Sequence, residues 1–424
     1  MYTRILIFLA SFSWLHANDA QTPPQSPTQS QETIILWHAL DGELGNAFQQ
    51  LLNDFSKQEP SIKVEAVFKG NYDQTLAAYL ESPDKTDVVQ IFEMGTVVMQ
   101  NSKQFTPIKN VFSWNKQPIP AFIPAMTSFY KAHSTELQCV PFSASTVVLF
   151  YNKTLLDRAN IAPPKTFEDF HQLAYTLKGK GVMAPLASGW LSGHHMDQIG
   201  AIHNIPIATH GNGIDKTDAK LVTNPFFETH WTILNQWHRD GLFSLKTGPE
   251  AEAAFANEEI VFLSQGANRL PLLKKAVNER FEIGVVHFPY WKSVGKPQKT
   301  IAGGSAFWVS KNKFSPQKKR ALSKLMTFLA DSKTQYKWQA QTGYIPTVAV
   351  PANPDLPEAS RLAQEAFSRS CPSTYNRGIL LPNFPAIRTL IVDEMTKVIK
   401  GDKTSRDALQ TIEREGNILL RKSS

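Results

Sequence analysis

The chain has 424 residues, of which 19% are charged and 42% belong to the hydrophobic set. This composition excludes a disordered chain, a coiled coil and a membrane protein with many spans. The 44 Lys and Arg residues exceed the 37 Asp and Glu residues by +7, and no basic run concentrates that excess as nucleic-acid-binding proteins do. Two cysteines, Cys139 and Cys371, cannot build a disulfide framework, and the sequence leaves open whether they pair.

The N-terminus has the pattern of a secretory signal. Arg4 precedes an almost wholly apolar run over residues 5–15, and Ala17 offers a small residue for cleavage. The run is too short to span a bilayer comfortably. We therefore predict a signal peptide over residues 1–17 and a flexible polar leader over residues 18–32 of an exported protein. The alternative is an uncleaved membrane anchor.

Alternating strands and helices are predicted after the leader. The apolar run 34–37 predicts a strand, and Leu44 to Phe55 repeat at helical spacing until Pro60. A strand at 62–68, a helix through 76–80 and a strand at 88–92 follow. This β-α-β-α-β series predicts a mainly parallel sheet, with ligands beyond the carboxyl ends of its strands.

A second sheet is predicted downstream. Its strands are expected at 146–151, 260–263 and 283–286, and its helices at 167–177 and 231–239. A further strand at 306–309 precedes a helix that buries Leu322 to Leu329. Later helices are expected from an N-cap at Ser332 to Gly343, over 389–400 and over 405–420. The whole pattern predicts two α/β lobes of similar size.

Motifs for common enzyme chemistry are missing from the sequence. There is no Walker-A run, G-x-G-x-x-G, H-E-x-x-H, C-x-x-C or G-x-S-x-G. The adjacent His194 and His195 point to different sides of a helix and make a poor chelate. We therefore expect the run His194-His195-Met196-Asp197 to be a polar loop or the rim of a pocket, with no metal and no cofactor.

An ordered set of segments resembles the periplasmic sn-glycerol-3-phosphate-binding proteins of ATP-binding-cassette (ABC) uptake systems. The segments are WHALDGELG (37–45), KGNYDQ (69–74), FEMGT (92–96), PFSAST (141–146), ASGW (187–190), AGGS (302–305), QTGYIP (341–346) and NFPAIR (383–388). Each motif is weak alone, but the set keeps the order of the family. The resemblance implies two α/β lobes, each a mainly parallel sheet flanked by helices, joined by crossover strands around a ligand cleft.

The resemblance also implies the domain boundaries and the binding residues. Lobe 1 would comprise residues 33–144 plus 302–345, and lobe 2 residues 145–301 plus 346–424. The ligand-binding residues that it implies are Tyr72, Glu93, Ser145, Trp190, Gly304, Tyr344 and Arg388.

The chemistry of these residues suits a phosphorylated polyol. Arg388 follows Pro385 at the start of a helix, so a guanidinium and a helix N-terminus would both face a phosphate. Glu93 would accept from glycerol hydroxyls at the opposite end of the ligand. Trp190 would form an apolar wall, and Gly304 would offer a backbone N–H to a ligand oxygen.

Plainer interpretations stay open for the same residues. Tyr72 and Tyr344 would then be packing residues, and Trp190 part of the core. Glu93 would be a helix N-cap or a solvated charge. Arg388 would pair with a carboxylate of its own helix, at position 393 or 394.

Two positions depart from the family pattern. Gly193 stands where the family has a second tryptophan, and Gly266 stands where it has a serine contact. Ser264, Asn268 or Arg269 would have to compensate for the missing hydroxyl. The two changes favour a wider pocket and a larger ligand such as glycerophosphocholine.

We therefore expect a non-enzymatic periplasmic receptor of an ABC importer. Its partners would be a small phosphorylated polyol, glycerol 3-phosphate or a related glycerophosphodiester, and an inner-membrane ABC permease. We expect a monomer and no nucleic acid. The alternatives are a neutral oligosaccharide receptor on the same scaffold, a secreted hydrolase that uses Glu93, and an exported adhesion or scaffold protein.

Overall fold

The computed structural model describes residues 31–131, 134, 136–183, 185–351, 354–368 and 375–421. The predicted signal peptide, the leader as far as residue 30 and Cys371 lie outside the described residues. Cys139 is buried. Within the described part of the chain, no helix combines the length and the apolar character needed to cross a membrane.

The strands begin two residues before the predicted position, at Glu32. They are β1 (Glu32–His38), β2 (Ile62–Phe68), β3 (Val88–Phe92), β4 (Phe105–Thr106), β5 (Val140–Ser145), β6 (Val147–Asn152), β7 (Leu186–Ser188), β8 (Phe243–Ser244), β9 (Phe262–Gly266), β10 (Ile283–His287) and β11 (Gly303–Ser310).

The helices occupy most of the remaining chain. They are α1 (Gly42–Gln58), α2 (Tyr72–Glu81), α3 (Thr96–Ser102), α4 (Ile108–Ser113), α5 (Pro124–Lys131), α6 (Lys153–Ala159), α7 (Phe167–Gly179), α8 (Ile199–Ile202), α9 (Thr209–Asn212), α10 (Pro225–Arg239), α11 (Gly248–Ala256), α12 (Leu270–Val277), α13 (Pro316–Leu329), α14 (Ser332–Thr342), α15 (Glu358–Ser368), α16 (Phe384–Lys400) and α17 (Ser405–Arg421). A π-helical segment, Gly193–Gln198, precedes α8.

Two sheets form the centres of two α/β lobes. The first has the order β2-β1-β3-β11-β4, with β5 also paired to β11, and the second has the order β10-β6-β9-β7-β8. The predicted two-lobed α/β architecture is therefore confirmed. The boundaries given above for the two lobes stay a prediction.

Both sheets are mixed, and the expectation of mainly parallel sheets is wrong. β1 pairs in parallel with β2 and β3, but β11 is antiparallel to β3, β4 and β5. In the second sheet β6 is antiparallel to β9 and β10. The reason is the direction of entry: the chain reaches Gly303 from the other lobe, and the first residue of β11 to pair with β3, Ser305, lies opposite the last residue of β3, Phe92.

Three chain segments pass between the sheets and lie side by side. β5 continues into β6 through Thr146, residues 288–302 lead from β10 to β11, and residues 343–351 leave α14 in the direction of α15. Ser145 is opposite Gly303, and Ala144 is opposite both Gly304 and Ile345. The ends of these segments therefore meet at one place between the lobes.

Amphipathic helices cover the sheets as their spacing predicts. α1 buries Phe48, Leu51 and Phe55, and the Phe48 ring stacks on Phe307 of β11 with centroids 5.5 Å apart. One N-cap prediction is wrong: Asp331, and not Ser332, caps α14, because its side chain accepts hydrogen bonds from the Lys333 and Thr334 N–H groups. α14 ends at Gly343 in the left-handed conformation, as predicted.

α16 connects the second lobe to the first. It begins at Phe384, five residues before the predicted start, and packs on α10 and α17. It also lies against the turn Glu93–Gly95, which follows β3 of the first sheet. This contact brings Arg388, one turn into α16, to the carboxyl end of β3.

Candidate functional site

A cavity of about 590 Å³ lies between the two sheets, and all seven predicted binding residues line it. They come from both lobes and from the crossing segments. The remaining lining includes Asn268 and Arg269, which the sequence offered as replacements for the missing serine, and polar side chains that it did not single out as ligand contacts: Asp41, Asn71, Asp73, His194, Gln198 and Gln265. Whether the seven residues contact a ligand stays a prediction.

Tyr72 and Tyr344 are held by aromatic stacking. Tyr72 is the first residue of α2, and its ring stacks on Phe92 with centroids 5.6 Å apart. The ring of Tyr344 stacks on Trp338 at 5.9 Å. Burial raises the pKa of both phenols, and the neighbouring Tyr344 raises that of Tyr72 further. Both side chains are therefore neutral hydroxyl groups that can donate to a ligand.

Glu93 is buried at the carboxyl end of β3, with 8% of its surface exposed. Its Oε2 accepts a hydrogen bond from the Gly304 backbone N–H at 2.8 Å. Burial raises the pKa of Glu93, and the positive charge of Arg388 opposes that shift. Glu93 is not a solvated charge, because it is buried and its Oε2 accepts from the Gly304 N–H. It is not a helix N-cap either, because Phe92 holds that position in the turn Glu93–Gly95.

Gly304 differs from its expected role. Its N–H, predicted to face a ligand oxygen, already donates to Glu93. The glycine is required for packing, because a Cβ at this position would lie 1.9 Å from the Ser143 carbonyl oxygen. The close approach of β5 and β11, and not a ligand, accounts for the absence of a side chain here.

Ser145 and Asn268 form a polar pair across the crossing between the lobes. The Ser145 hydroxyl donates to Asn268 Oδ1 at 2.9 Å. A Cβ on Gly266 would lie 2.6 Å from the same oxygen, so Asn268 occupies the space beside Gly266. Of the three residues named as compensation for the missing serine, Asn268 and Arg269 line the cavity, whereas Ser264 is buried and bonded to Ser188.

Arg388 forms a buried ion pair with Asp197 rather than with a carboxylate of its own helix. Its Nη2 donates to Asp197 Oδ2, and the two residues are 8% and 6% exposed. Arg388 Nε and Nη1 and Asp197 Oδ1 are also buried, and none of the three has a hydrogen-bond partner among the described residues. Glu394 pairs instead with Lys397 and Lys403.

Trp190 lies directly over the guanidinium of Arg388. The Arg388 Cζ is 4.0 Å from the centroid of the indole, within the range of a cation–π contact. On the helix side, a Cβ on Gly193 would lie 2.4 Å from Trp190 Cδ2. The indole of Trp190 therefore packs directly against Gly193 and occupies the position that a side chain at residue 193 would need. With 37% of its surface exposed, Trp190 is not a plain core residue.

Glu93 and Arg388 are close together, contrary to the expectation that they hold opposite ends of a ligand. Both side chains, with Asp197, line a second, small cavity of about 30 Å³. Burial raises the pKa of Glu93 and lowers that of Arg388, and the opposite charges of the two groups oppose both shifts. The packing of α16 against the turn Glu93–Gly95 is the cause.

The histidines next to the cavity have structural partners. His194 Nδ1 is 2.9 Å from Ser188 Oγ, and His195 Nδ1 is 3.1 Å from His230 Nε2. Burial lowers the pKa of His194 well below its usual value and that of His195 to about 3. Among the described residues, no group of three or more His, Cys, Asp or Glu side chains is placed to hold a metal ion.

Carboxylates outnumber guanidiniums around the main cavity. Asp41, Asp73 and Glu93 line it, against Arg269 and Arg388. Arg269 is held by Glu252 through two hydrogen bonds of 2.8 and 2.7 Å. Asp41 and Asp73 lie inside the segments that carry the family resemblance, which is a signal that could have found them. Asp197 entered the sequence analysis only with the adjacent histidines, as a poor metal site, and not as a partner of Arg388.

Comparison with known proteins supports a common origin with solute receptors. The family model for bacterial extracellular solute-binding proteins matches residues 50–363. The chain is 31% identical to the sn-glycerol-3-phosphate-binding periplasmic protein UgpB of Salmonella paratyphi A, over 92% of this chain and 93% of that protein. It is 30% identical to UgpB of Escherichia coli K12, over 93% and 94% of the two chains.

Solved structures share the fold at lower identity. UgpB from Mycobacterium tuberculosis in complex with glycerophosphocholine superposes with a TM-score of 0.77 at 17% identity, over 92% of this chain and 99% of that chain. The maltose-bound MalE3 of T. maritima superposes with a TM-score of 0.72 at 18% identity, over 92% and 100%. The two-lobed fold is therefore shared by receptors of different solutes.

Proposed function

The chain belongs to the bacterial extracellular solute-binding proteins, and from that premise we propose that it is the receptor of an ABC importer for glycerol 3-phosphate or a related glycerophosphodiester. Members of this family bind a small ligand and work with ABC permeases, and the protein is periplasmic, as its curated relatives are. The receptor role implies no catalysis.

The observation that carries the proposal is the state of Arg388. Two of its nitrogens, Nε and Nη1, are buried at the cavity without a hydrogen-bond partner among the described residues. Burying unpaired donors of a charged group is costly. Phosphate oxygens that reach the guanidinium reduce that cost, because hydrogen bonds from arginine to phosphate are charge-assisted and strong. A neutral sugar supplies no such charge.

The polyol part of the ligand would contact neutral and acidic groups nearby. Tyr72 and Tyr344 offer hydroxyl donors, and the second oxygen of Glu93 can accept from a glycerol hydroxyl. Ser145 and Asn268 add a polar pair at the crossing segments. Trp190 would cover both the guanidinium and the phosphate that it binds.

Size and charge favour a phosphodiester over the smaller monoester. A cavity of about 590 Å³ exceeds what glycerol 3-phosphate needs, and it carries more carboxylates than guanidiniums. A doubly charged monoester would add two negative charges to this surface. A zwitterionic diester such as glycerophosphocholine adds one, and its ammonium group is attracted by the carboxylates and by aromatic faces.

Binding would draw the two lobes together. Tyr72 and Glu93 belong to the first sheet and its helices, whereas Trp190 and Arg388 belong to the elements around the second. A ligand that contacts both sets stabilises the closed arrangement. The three adjacent crossing segments form the natural hinge.

Neutral oligosaccharides are the second candidate, because aromatic side chains line the cavity. Phe68 and Trp190 are 51% and 37% exposed there, as stacking surfaces for sugar rings would be. Receptors of the same fold bind maltose. The buried, unpaired nitrogens of Arg388 weigh against this candidate.

Titration calorimetry separates the candidates. We expect glycerophosphocholine to bind, glycerol 3-phosphate to bind more weakly at pH 8, and maltose to produce no heat. Binding of maltose alone would replace the phosphate proposal with the oligosaccharide one. Release of choline or phosphate on incubation would make the protein an enzyme, and a failure of all three solutes to bind would favour a scaffold role.

A further inference from the structure

We propose that Asp197 determines which phosphate esters the site accepts: held on the guanidinium of Arg388, its carboxylate favours singly charged phosphodiesters and disfavours doubly charged phosphomonoesters. The inference rests on the proposed function, because it concerns the same site. The sequence marks Asp197 only as the last residue of the His194-His195-Met196-Asp197 run, a poor metal site, and its part in the phosphate site follows from the ion pair with Arg388.

Asp197 is held beneath the cavity by irregular helical structure. It lies in the π-helical segment Gly193–Gln198, which begins three residues after Trp190. Such segments are often found at functional sites, since the wider turn re-aims side chains. Here Asp197 Oδ2 accepts from Arg388 Nη2, whereas Oδ1 is buried with no partner among the described residues.

The charged groups around Asp197 leave little positive charge for a ligand. Arg388 on α16 contacts it directly, and Glu93 shares the small cavity with both. On the segment of Asp197 itself, His194 and His195 are kept neutral by burial, which lowers the pKa of each. Farther along the cavity wall, the negative charge of Asp73 also favours the charged form of Arg388 and opposes the lowering of its pKa by burial. One guanidinium therefore already has two carboxylates close to it before a phosphate arrives.

This balance penalises the second charge of a monoester. A phosphate bound by Arg388 shares that guanidinium with the Asp197 carboxylate, which already accepts from Nη2. Arg388 can offset one added negative charge, but a second meets two neighbouring carboxylates in a buried site. A charge next to an ionisable group shifts the pKa of that group by about 1 to 3 units. One pKa unit is equivalent to about tenfold in affinity, so the second charge of a monoester should cost roughly tenfold or more.

The pH dependence follows from the same arrangement. Burial raises the pKa of Asp197 to about 6, although Arg388 opposes the shift. Binding of an anion raises it further, so a proton is taken up and affinity falls as the pH rises. A monoester phosphate loses its second proton near pH 6. The fall between pH 5.5 and 8 is therefore steeper for glycerol 3-phosphate than for glycerophosphocholine.

Asp197→Asn is the direct test, because asparagine keeps an acceptor for Arg388 Nη2 and removes the charge. Titration calorimetry of glycerophosphocholine and glycerol 3-phosphate is done at pH 5.5 and pH 8. At pH 8 we expect the ratio of monoester to diester affinity to rise about tenfold in the variant. Asp197→Glu, which restores the charge, should return the ratio toward that of the wild type.

Two controls keep the result interpretable. Glu394→Gln removes another buried carboxylate, two turns farther along α16 and paired with Lys397 and Lys403, and should leave the ratio unchanged. The wild type alone gives a second readout, independent of any variant: titrations at pH 7 in two buffers of different ionisation enthalpy report the protons taken up on binding. We expect uptake for both esters.

The outcomes distinguish this inference from the proposed function. If both esters bind the wild type but Asp197→Asn weakens them equally, with no proton uptake by the wild type, then Asp197 only supports the structure and the inference is wrong. If neither ester binds the wild type, the proposed function fails, and this inference fails with it.

Discussion

The carboxylate of Glu93 and the backbone N–H of Gly304 lie 211 positions apart in the sequence and form a hydrogen bond of 2.8 Å. The bond joins the end of β3 to the start of β11, where the chain returns from the second lobe. Glu93 therefore has a structural role at the junction in addition to any contact with a solute.

Replacing Glu93 separates these two roles. Glu93→Ala leaves the partly buried Gly304 N–H without an acceptor, whereas Glu93→Gln retains an oxygen that can accept. We expect the free energy of unfolding of the alanine variant to be about 1–3 kcal/mol lower than that of the glutamine variant. Urea denaturation measures the difference. Equal stability of the two variants would show that the hydrogen bond contributes nothing.

Arg388→Ala tests the phosphate contact. The change removes the buried fork, so the affinity for glycerophosphocholine should fall by about 100-fold or more, and Arg388→Lys should fall between the alanine variant and the wild type. Arg361→Ala, which removes an exposed guanidinium from α15, is the control and should bind normally. A loss below about tenfold for Arg388→Ala in calorimetry would exclude it as the main phosphate ligand.

Gly193→Ala tests the position of Trp190. The added Cβ would lie 2.4 Å from the indole and must move it away from the guanidinium of Arg388. We expect a loss of about 3- to 30-fold in affinity, in line with a desolvated cation–π contact. Gly179→Ala, at a helix end where a Cβ meets nothing within 4 Å, provides the matched control. If Gly193→Ala binds the ligand with unchanged affinity, the contact between Trp190 and Arg388 contributes nothing to binding.

Acid should destabilise the protein through its buried histidines. Burial lowers the pKa of His195 to about 3 and that of His203 to about 4, against about 6.5 in an unfolded chain. The unfolded state therefore takes up protons first, and stability is lost as the pH falls below about 6.5. Asp197 acts in the opposite direction, because burial raises its pKa to about 6. Its contribution to the stability of the protein is lost as the pH rises through that value and is regained as the pH falls.

The histidines outweigh the single carboxylate. We expect the free energy of unfolding to fall on the order of 3 kcal/mol between pH 7 and pH 4.5. Urea midpoints across that range measure the fall, and His195→Gln should reduce its slope. A midpoint that stays constant to pH 4.5 would contradict the neutral buried state of these residues.

The sequence by itself determined most of the longer helices, most strands and seven of the residues around the cavity. α1 shows why: the spacing of Phe48, Leu51 and Phe55 selects one buried face, whatever packs against it. The order of the family segments likewise pointed to seven residues that line one cavity. These features depend on local periodicity and on contiguous motifs, both of which can be seen in a linear sequence.

Only the tertiary structure decided the relationships between segments far apart in the chain. The antiparallel entry of β11, the use of the Gly304 N–H by Glu93 and the Asp197–Arg388 ion pair each join residues about 190 or more positions apart. Even the contact between Trp190 and Gly193, which are three residues apart, could not be predicted from the sequence. The orientation of the indole depends on Arg388, which belongs to another helix. Hydrogen bonds and charges act through distances of a few ångströms in space, and a linear pattern does not record those distances.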